Sequence, residues 1–155
     1  MSAALHLGVA EDLAALLPMV EAYHAEEGIT SDPEGRAAAI APLLDGSPHG
    51  CVYVIGPRRA PVGYMVVTFG WSVEFGGLDG FIDELFVRPG VRGRGVASEA
   101  LHALLPLLDE AGVRALHLEA SVDRPRLERL YARAGFKMRR GYHLMSRMAR
   151  RGPGK

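Results

Sequence analysis

Apolar positions along this chain change period several times, and each change predicts a new element. Residues 5–9 alternate and read as a first strand. Leu13, Leu16, Leu17 and Val20 then fall on one helical face, with Asp12 placed to cap the helix, Pro18 a point of distortion and Gly28 its end. Asp32-Pro33 reads as the cap and first-turn proline of a second helix reaching about Leu44, and Asp45-Gly46-Ser47-Pro48 breaks the pattern. Two strand-like runs, 50–55 and 62–69, flank a Gly-Pro-Arg-Arg-Ala-Pro connection and predict an antiparallel hairpin.

Residues 71–79, which include Gly76-Gly77, are expected to loop before the third strand of this meander, 80–87, which Pro89-Gly90 ends. A helix follows to Ala111, with Pro106 expected to kink it or shorten it by a turn. Gly112 leads into a strand over 115–120, the one βαβ unit of the chain, hence right-handed. A short helix over 124–134 closes at Gly135, and 136–139 with 142–148 predict a final hairpin around Gly141. The expected organisation is one domain over 1–149 and a loose charged tail over 150–155, without repeats or low-complexity segments.

Composition narrows the class. A chain of 155 residues, 48% apolar, can bury about two-thirds of its unfolded surface, and no apolar run approaches the ~20 residues of a membrane span. No basic segment leads into an apolar stretch at the N-terminus, so the expectation is a cytoplasmic protein without a signal peptide or a membrane partner. Cys51 is the single cysteine, which excludes an internal disulfide and a cysteine-rich zinc site; it reads as a small core residue. Six scattered histidines offer no metal set. Eighteen basic and eighteen acidic residues cancel, so overall charge predicts no nucleic-acid partner. The arginines are nevertheless clustered, at Arg88, Arg92 and Arg94 and again from Arg124 to Arg133, which points to a small anionic ligand.

The segment Arg92-Gly93-Arg94-Gly95-Val96-Ala97 stands between the third meander strand and the following helix. Glycines let the backbone approach a ligand, and the first helical N–H groups have no partner within the helix. With the positive end of the helix dipole they form a phosphate site. A P-loop would need Lys-Ser/Thr after Gly95, where Val96-Ala97 stands. A dinucleotide fingerprint would need a third glycine where Ser98 stands, and repeated βα units that this chain lacks, although Glu119 lies at a ribose-binding distance.

Arg92-x-x-Gly95-x-Ala97, after a strand ending Leu85-Phe86-Val87-x-Pro89, resembles the acetyl-CoA-binding motif of the GNAT superfamily of N-acetyltransferases. Leu130-Tyr131-x-x-x-Gly135-Phe136 resembles the second signature of that superfamily. The resemblance implies an α/β fold with a mixed, mostly antiparallel sheet and one βαβ crossover, in the order β1-α1-α2-β2-β3-β4-α3-β5-α4-β6-β7. It implies that backbone amides of Arg92, Gly93, Arg94, Gly95, Val96 and Ala97, extending to Ser98, hold the pyrophosphate of acetyl-CoA, with Arg92 and Arg94 screening its phosphates. It also implies that strand 85–87 splays from strand 115–120, and that pantetheine bonds the backbone near Phe86 and Val87.

The reaction so implied is direct transfer of acetyl from acetyl-CoA to a primary amine of a small molecule or peptide, with no metal. A thiolate leaves, and Tyr131 is the phenol placed to protonate it. An amine of pKa ~10 must lose a proton, and Asp83 or Glu84 is the base. Similar enzymes carry two adjacent acids there in reverse order, which leaves the choice between the two open. Arg124 stands where many members have Asn, and Leu127 where many have a small residue; Arg124 reads as an amide substitute, a phosphate contact or neither. Loops that build the acceptor site in this fold contribute His24, Glu26, Glu27, Trp71, Glu74 and Asp79. A homodimer is common among similar proteins. Two rival readings stand beside this one: a non-catalytic acyl-CoA sensor of the same fold, and nucleic-acid binding by Arg-Gly-Arg-Gly.

Overall fold

The computed structural model describes residues 4–150. Its elements run β1 (Leu5–Leu7), α1 (Leu13–Glu27), α2 (Pro33–Ile40), β2 (Gly50–Ile55), β3 (Gly63–Ser72), β4 (Gly77–Val87), α3 (Val96–Glu110), β5 (Ala115–His117) and α4 (Pro125–Arg133). The strands form one sheet in the order β1-β2-β3-β4-β5, antiparallel throughout except for the parallel β4–β5 pair.

Alternation along the strands sends side chains to two helical layers. Val52, Val54, Tyr64, Val66 and Phe86 pack against Leu16, Met19 and Val20 of α1 and against Ile40 and Leu44. On the other face Ile55, Met65, Val67 and Ile82 meet Ala100, Leu101, Leu104 and Leu108 of α3 and Tyr131 of α4.

Local chemistry explains several element ends. The Asp32 carboxylate accepts from the Gly35 N–H at 2.6 Å, so it caps α2, with Pro33 in the first turn. Gly28 closes α1 in the left-handed region, and Gly135 turns the chain after α4 in the same way. Asp12 does not cap α1: its carboxylate is buried and accepts from the Val9 N–H at 2.9 Å and from Arg58 at 2.6 Å, anchoring a short 3-10 turn before the helix. α3 continues unbroken through Pro106 to Glu110.

Three expectations are corrected. Strands β3 and β4 extend well past residue 69 and start before residue 80, so the expected 71–79 loop shrinks to a tight turn. Trp71 pairs with Leu78, and Asp79 with Gly70. β5 stops at His117 rather than reaching residue 120. The final hairpin, expected as β6 and β7, does not form: residues 137–150 contain only a turn at Gly141, and all of them are exposed. A hairpin needs a neighbouring strand or a covered apolar face to be stable. Met138, Tyr142, Leu144, Met145 and Met148 face outward here, and the β5 they would extend is three residues long. The tail expected over 150–155 lies, beyond Arg150, outside the described residues.

Candidate active site

β4 and β5 pair only from Asp79↔Ala115 to Phe81↔His117, and then separate. A cleft of about 1150 Å³ opens where pairing ends, walled by β4, the segment after β5, the β4–α3 turn and α4. Phe86, Val87, Arg92, Gly93, Gly95, Val96, Ala97, Ser98, Arg124 and Tyr131 all line it. The Arg94 side chain does not; it is exposed and has no partner among the described residues.

The β4–α3 turn leaves a run of N–H groups open. Val91 donates to Arg88 O and Arg92 to Pro89 O, and helical bonding resumes with Glu99 donating to Gly95 O. Between them the amides of Gly93, Arg94, Gly95, Val96, Ala97 and Ser98 have no acceptor among the described residues. The Arg92 amide, expected among the free donors, is therefore used by the protein itself. Gly93 and Gly95 sit at φ 78° and 81°, where any other residue is strained, and this conformation turns the amides outward at the helix start.

The strand edge is similarly resolved. Arg88 N–H donates to Val62 O, which places the 62/88 pair, and two residues on the Tyr64/Phe86 pair, among the hydrogen-bonded ones. Phe86 thus turns its backbone toward β3, and Leu85 and Val87 turn theirs toward the cleft. Phe86 contributes its ring instead, under the Arg92 guanidinium at 5.4 Å.

Of the three arginines singled out in the sequence, Arg92 and Arg124 are held by the end of α1. Arg92 donates to Val87 O at 2.7 Å and to both oxygens of Glu26 at 2.8 and 2.9 Å. From the opposite wall Arg124 is ion-paired with Glu27. These bridges are partly exposed and screened by solvent, so an incoming phosphate can compete for either guanidinium.

A β-bulge shapes the head of the cleft. Val66 stands opposite Glu84 and Val67 opposite Ile82, so Asp83 has no partner on β3. Asp83 is exposed, makes no side-chain hydrogen bond, and lines the cleft. Glu84 is enclosed, its side chain 13% exposed, and both oxygens are engaged: Oε1 accepts from Tyr64 at 2.9 Å, and Oε2 lies 2.7 Å from His24 Nε2. His24 Nδ1 in turn lies 2.7 Å from the Ser31 hydroxyl. Burial pushes the Tyr64 hydroxyl far above the ordinary tyrosine range, and the Glu84 charge adds to the shift.

Tyr131 is buried at the base of α4, edge-on to Phe136 at 6.1 Å, and its hydroxyl has no partner among the described residues. Burial raises its pKa above the ordinary value, helped by the charge of Glu27, so the phenol stays protonated at neutral pH. Tyr23, a cleft residue that motif reading passed over, shares this property; burial and then Glu27 and Glu84 raise its pKa. The signal available for it was its position on the apolar face of α1, in series with Leu16, Met19 and Val20.

Of the residues expected to build the acceptor site, His24, Glu26 and Glu27 gather beside the cleft. Trp71, Glu74 and Asp79 do not: they sit at or near the β3–β4 turn, and Glu74 pairs with Arg139. Cys51 is half-buried in β2, where burial pushes its thiol pKa up.

Residues 16–136 match the family model described as the acetyltransferase (GNAT) family. The chain belongs to the GNAT acetyltransferase family. Solved structures agree with that assignment. An integron cassette protein from the mobile metagenome of Cole Harbour Salt Marsh is 31% identical, with a TM-score of 0.80 over 93% of this chain and 89% of the other. At fold level alone, the GNAT chain also resembles a ribosomal-protein-alanine N-acetyltransferase from Brucella melitensis biovar Abortus 2308 (17% identical, TM-score 0.76, covering 96% of this chain and 100% of that one). An aminoglycoside acetyltransferase from an uncultured soil metagenomic sample is similar in the same sense (14% identical, TM-score 0.78, covering 96% and 97%). No curated protein matches the sequence. Among the described residues no group of three or more His, Cys, Asp or Glu is placed to hold a metal ion, and no helix is long and apolar enough to cross a membrane.

Proposed function

We propose that this GNAT chain is an N-acetyltransferase that moves acetyl from acetyl-CoA directly to a primary amine. The run of unpaired amides from Gly93 to Ser98 at the start of α3 carries this reading. Six outward donors at the positive end of a fifteen-residue helix suit a pyrophosphate. The Leu85 and Val87 backbone, freed by the splayed strands, suits the amide groups of a pantetheine arm. Arg92, Arg124, Arg126 and Arg133 line the same cleft and offset phosphate charge.

Acetyl-CoA, when bound, supplies an acetyl thioester at the head of the cleft. Asp83, free of other bonds, takes the proton that the amine loses as the new C–N bond forms. Glu84, fastened by Tyr64 and His24, holds the bulge that aims Asp83 and adds negative charge that favours an ammonium near it. Tyr131 gives its proton to the sulfur as the C–S bond breaks, a role suited to a phenol that burial keeps protonated.

The test is release of free thiol from acetyl-CoA with a panel of primary amines. Amine-dependent release supports the reading. If no amine gives release while coenzyme A still raises the melting temperature, the chain is an acyl-CoA-binding module without turnover.

A further inference from the structure

A second, smaller cavity of about 80 Å³ lies between α1, α2 and the sheet and, like the cleft, borders Asp83. Among the described residues Asp83 is the one that lines both. We propose that this cavity is the acceptor pocket, and that it takes a small aliphatic primary amine bearing a carboxylate, that is, an amino acid with a compact side chain. The inference rests on the acetyl-transfer reading and deepens it by naming the acceptor.

Size sets the first limit. A water needs roughly 10–15 Å³ of such space, so the cavity holds about half a dozen heavy atoms. Most of an aminoglycoside or a long polyamine would lie outside it. Its walls are largely aliphatic: Val20 of α1, Ile40 at the end of α2, Leu43 after it, and Val66 of β3. Ala39, exposed on α2, marks the mouth toward solvent, and Asp83 stands where the cavity meets the cleft. An amine that enters beside Ala39 therefore reaches Asp83 through this cavity rather than through the cleft.

Charge sets the second limit. The sheet contributes Asp83 and Glu84, which attract an ammonium; α2 contributes Arg36, the only Lys or Arg among the described residues of the lining. Arg36 is 8% exposed, and its short contacts are to neutral oxygens, Ser31 O at 2.8 Å and Ser31 Oγ at 3.1 Å. Its one carboxylate neighbour, Glu21, is 3.5 Å away on a side chain 68% exposed. A buried cation so weakly countered has donors left for a carboxylate, and the guanidinium fork accepts one in bidentate fashion. The second ammonium of a diamine would meet like charge at the same point.

The two ends are also tied together. Arg36 donates to the Ser31 hydroxyl, which bonds His24 Nδ1, and His24 Nε2 bonds Glu84. That continuous chain links the carboxylate-binding end of the cavity to the acid that attracts the ammonium.

Thiol release from acetyl-CoA, measured with α- and ω-amino acids of five to seven heavy atoms, with n-alkylamines of matching length and with a diamine, tests this. The expected kcat/KM for the amino acids exceeds that for matching alkylamines by at least tenfold. Arg36→Met should cut that ratio at least tenfold, mainly through KM, and Arg36→Lys, which keeps the charge but loses the fork, should cut it less. Equal turnover of amino acids and alkylamines, or a preference for the diamine, overturns this inference while leaving acetyl transfer standing. So does an Arg36→Lys enzyme whose ratio is unchanged. Absence of release with every amine, while coenzyme A still raises the melting temperature, overturns acetyl transfer and the acceptor assignment together.

Discussion

Asp83 and Glu84 are consecutive in β4, yet both line the small cavity, and Asp83 alone also lines the cleft. In a regular strand adjacent residues face opposite sides. Here the slip between Val66 and Val67 inserts Asp83 as an extra residue, so that Ile82 and Leu85 share the α3 face while Glu84 and Phe86 turn toward α1. A single irregularity in the ladder thus divides the two acids into one held and one free.

That division predicts different losses. Asp83→Asn should lower kcat for amine-dependent thiol release by about 100-fold or more, the usual contribution of a general base, with little change in melting temperature. Steady-state kinetics and a thermal scan check it.

Glu84→Gln should act on stability as well. The change weakens the acceptors offered to the buried Tyr64 hydroxyl and to His24, at a cost of about 1–3 kcal/mol. Chemical denaturation should show a lower midpoint for Glu84→Gln than for Asp83→Asn.

Tyr131→Phe should reduce kcat by about 100-fold or more while the Kd for coenzyme A stays within a few-fold of wild type. Tyr23→Phe is the control, since Tyr23 lines the same cleft and has a raised pKa of its own. Should Tyr23→Phe abolish turnover and Tyr131→Phe leave it intact, the two tyrosines exchange roles.

Stability should also fall at high pH. Tyr23, Tyr64 and Tyr131 all have pKa values raised in the folded state, so the folded chain holds these protons more tightly than the unfolded chain. Their contribution is complete below the ordinary tyrosine value of 10.0 and declines as pH rises past it. Denaturation midpoints measured between pH 8 and 11 should drop above pH 10, and less steeply in Tyr64→Phe.

Gly95→Ala tests the turn. A methyl at Gly95 has open space around it, but φ 81° costs a non-glycine residue about 1–2 kcal/mol. The turn should relieve that strain by re-aiming its amides, raising the Kd for coenzyme A about tenfold or more in calorimetry. Gly90→Ala, also in open space and without positive φ, should bind normally.

Much of this was legible in the sequence because it is local. The glycines at 93 and 95 announce a left-handed turn at a helix start, and Asp32-Pro33 announces a capped helix, since each is decided within a few residues. The order of elements through α4 follows for the same reason. What escaped depends on partners far along the chain. The bulge at Asp83 is a matter of register between β3 and β4, and no pattern within 80–87 reveals it. The clasp of Arg92 by Glu26 joins residues 66 apart. The alternation in 136–148 looked like a hairpin, but alternation makes a strand only where a neighbouring strand is present to receive it. Nothing in the sequence marks Arg36; only the packing of α2 on α1 shows it buried beside a cavity.

The central claim is that free N–H groups from Gly93 to Ser98 grip a diphosphate. Backbone amide NMR measures this directly, with the full chain titrated by coenzyme A and, separately, by pantetheine, which lacks the diphosphate. The account predicts large shifts at 93–98 with coenzyme A and small ones there with pantetheine. Saturable binding of coenzyme A that leaves those six signals in place would contradict it.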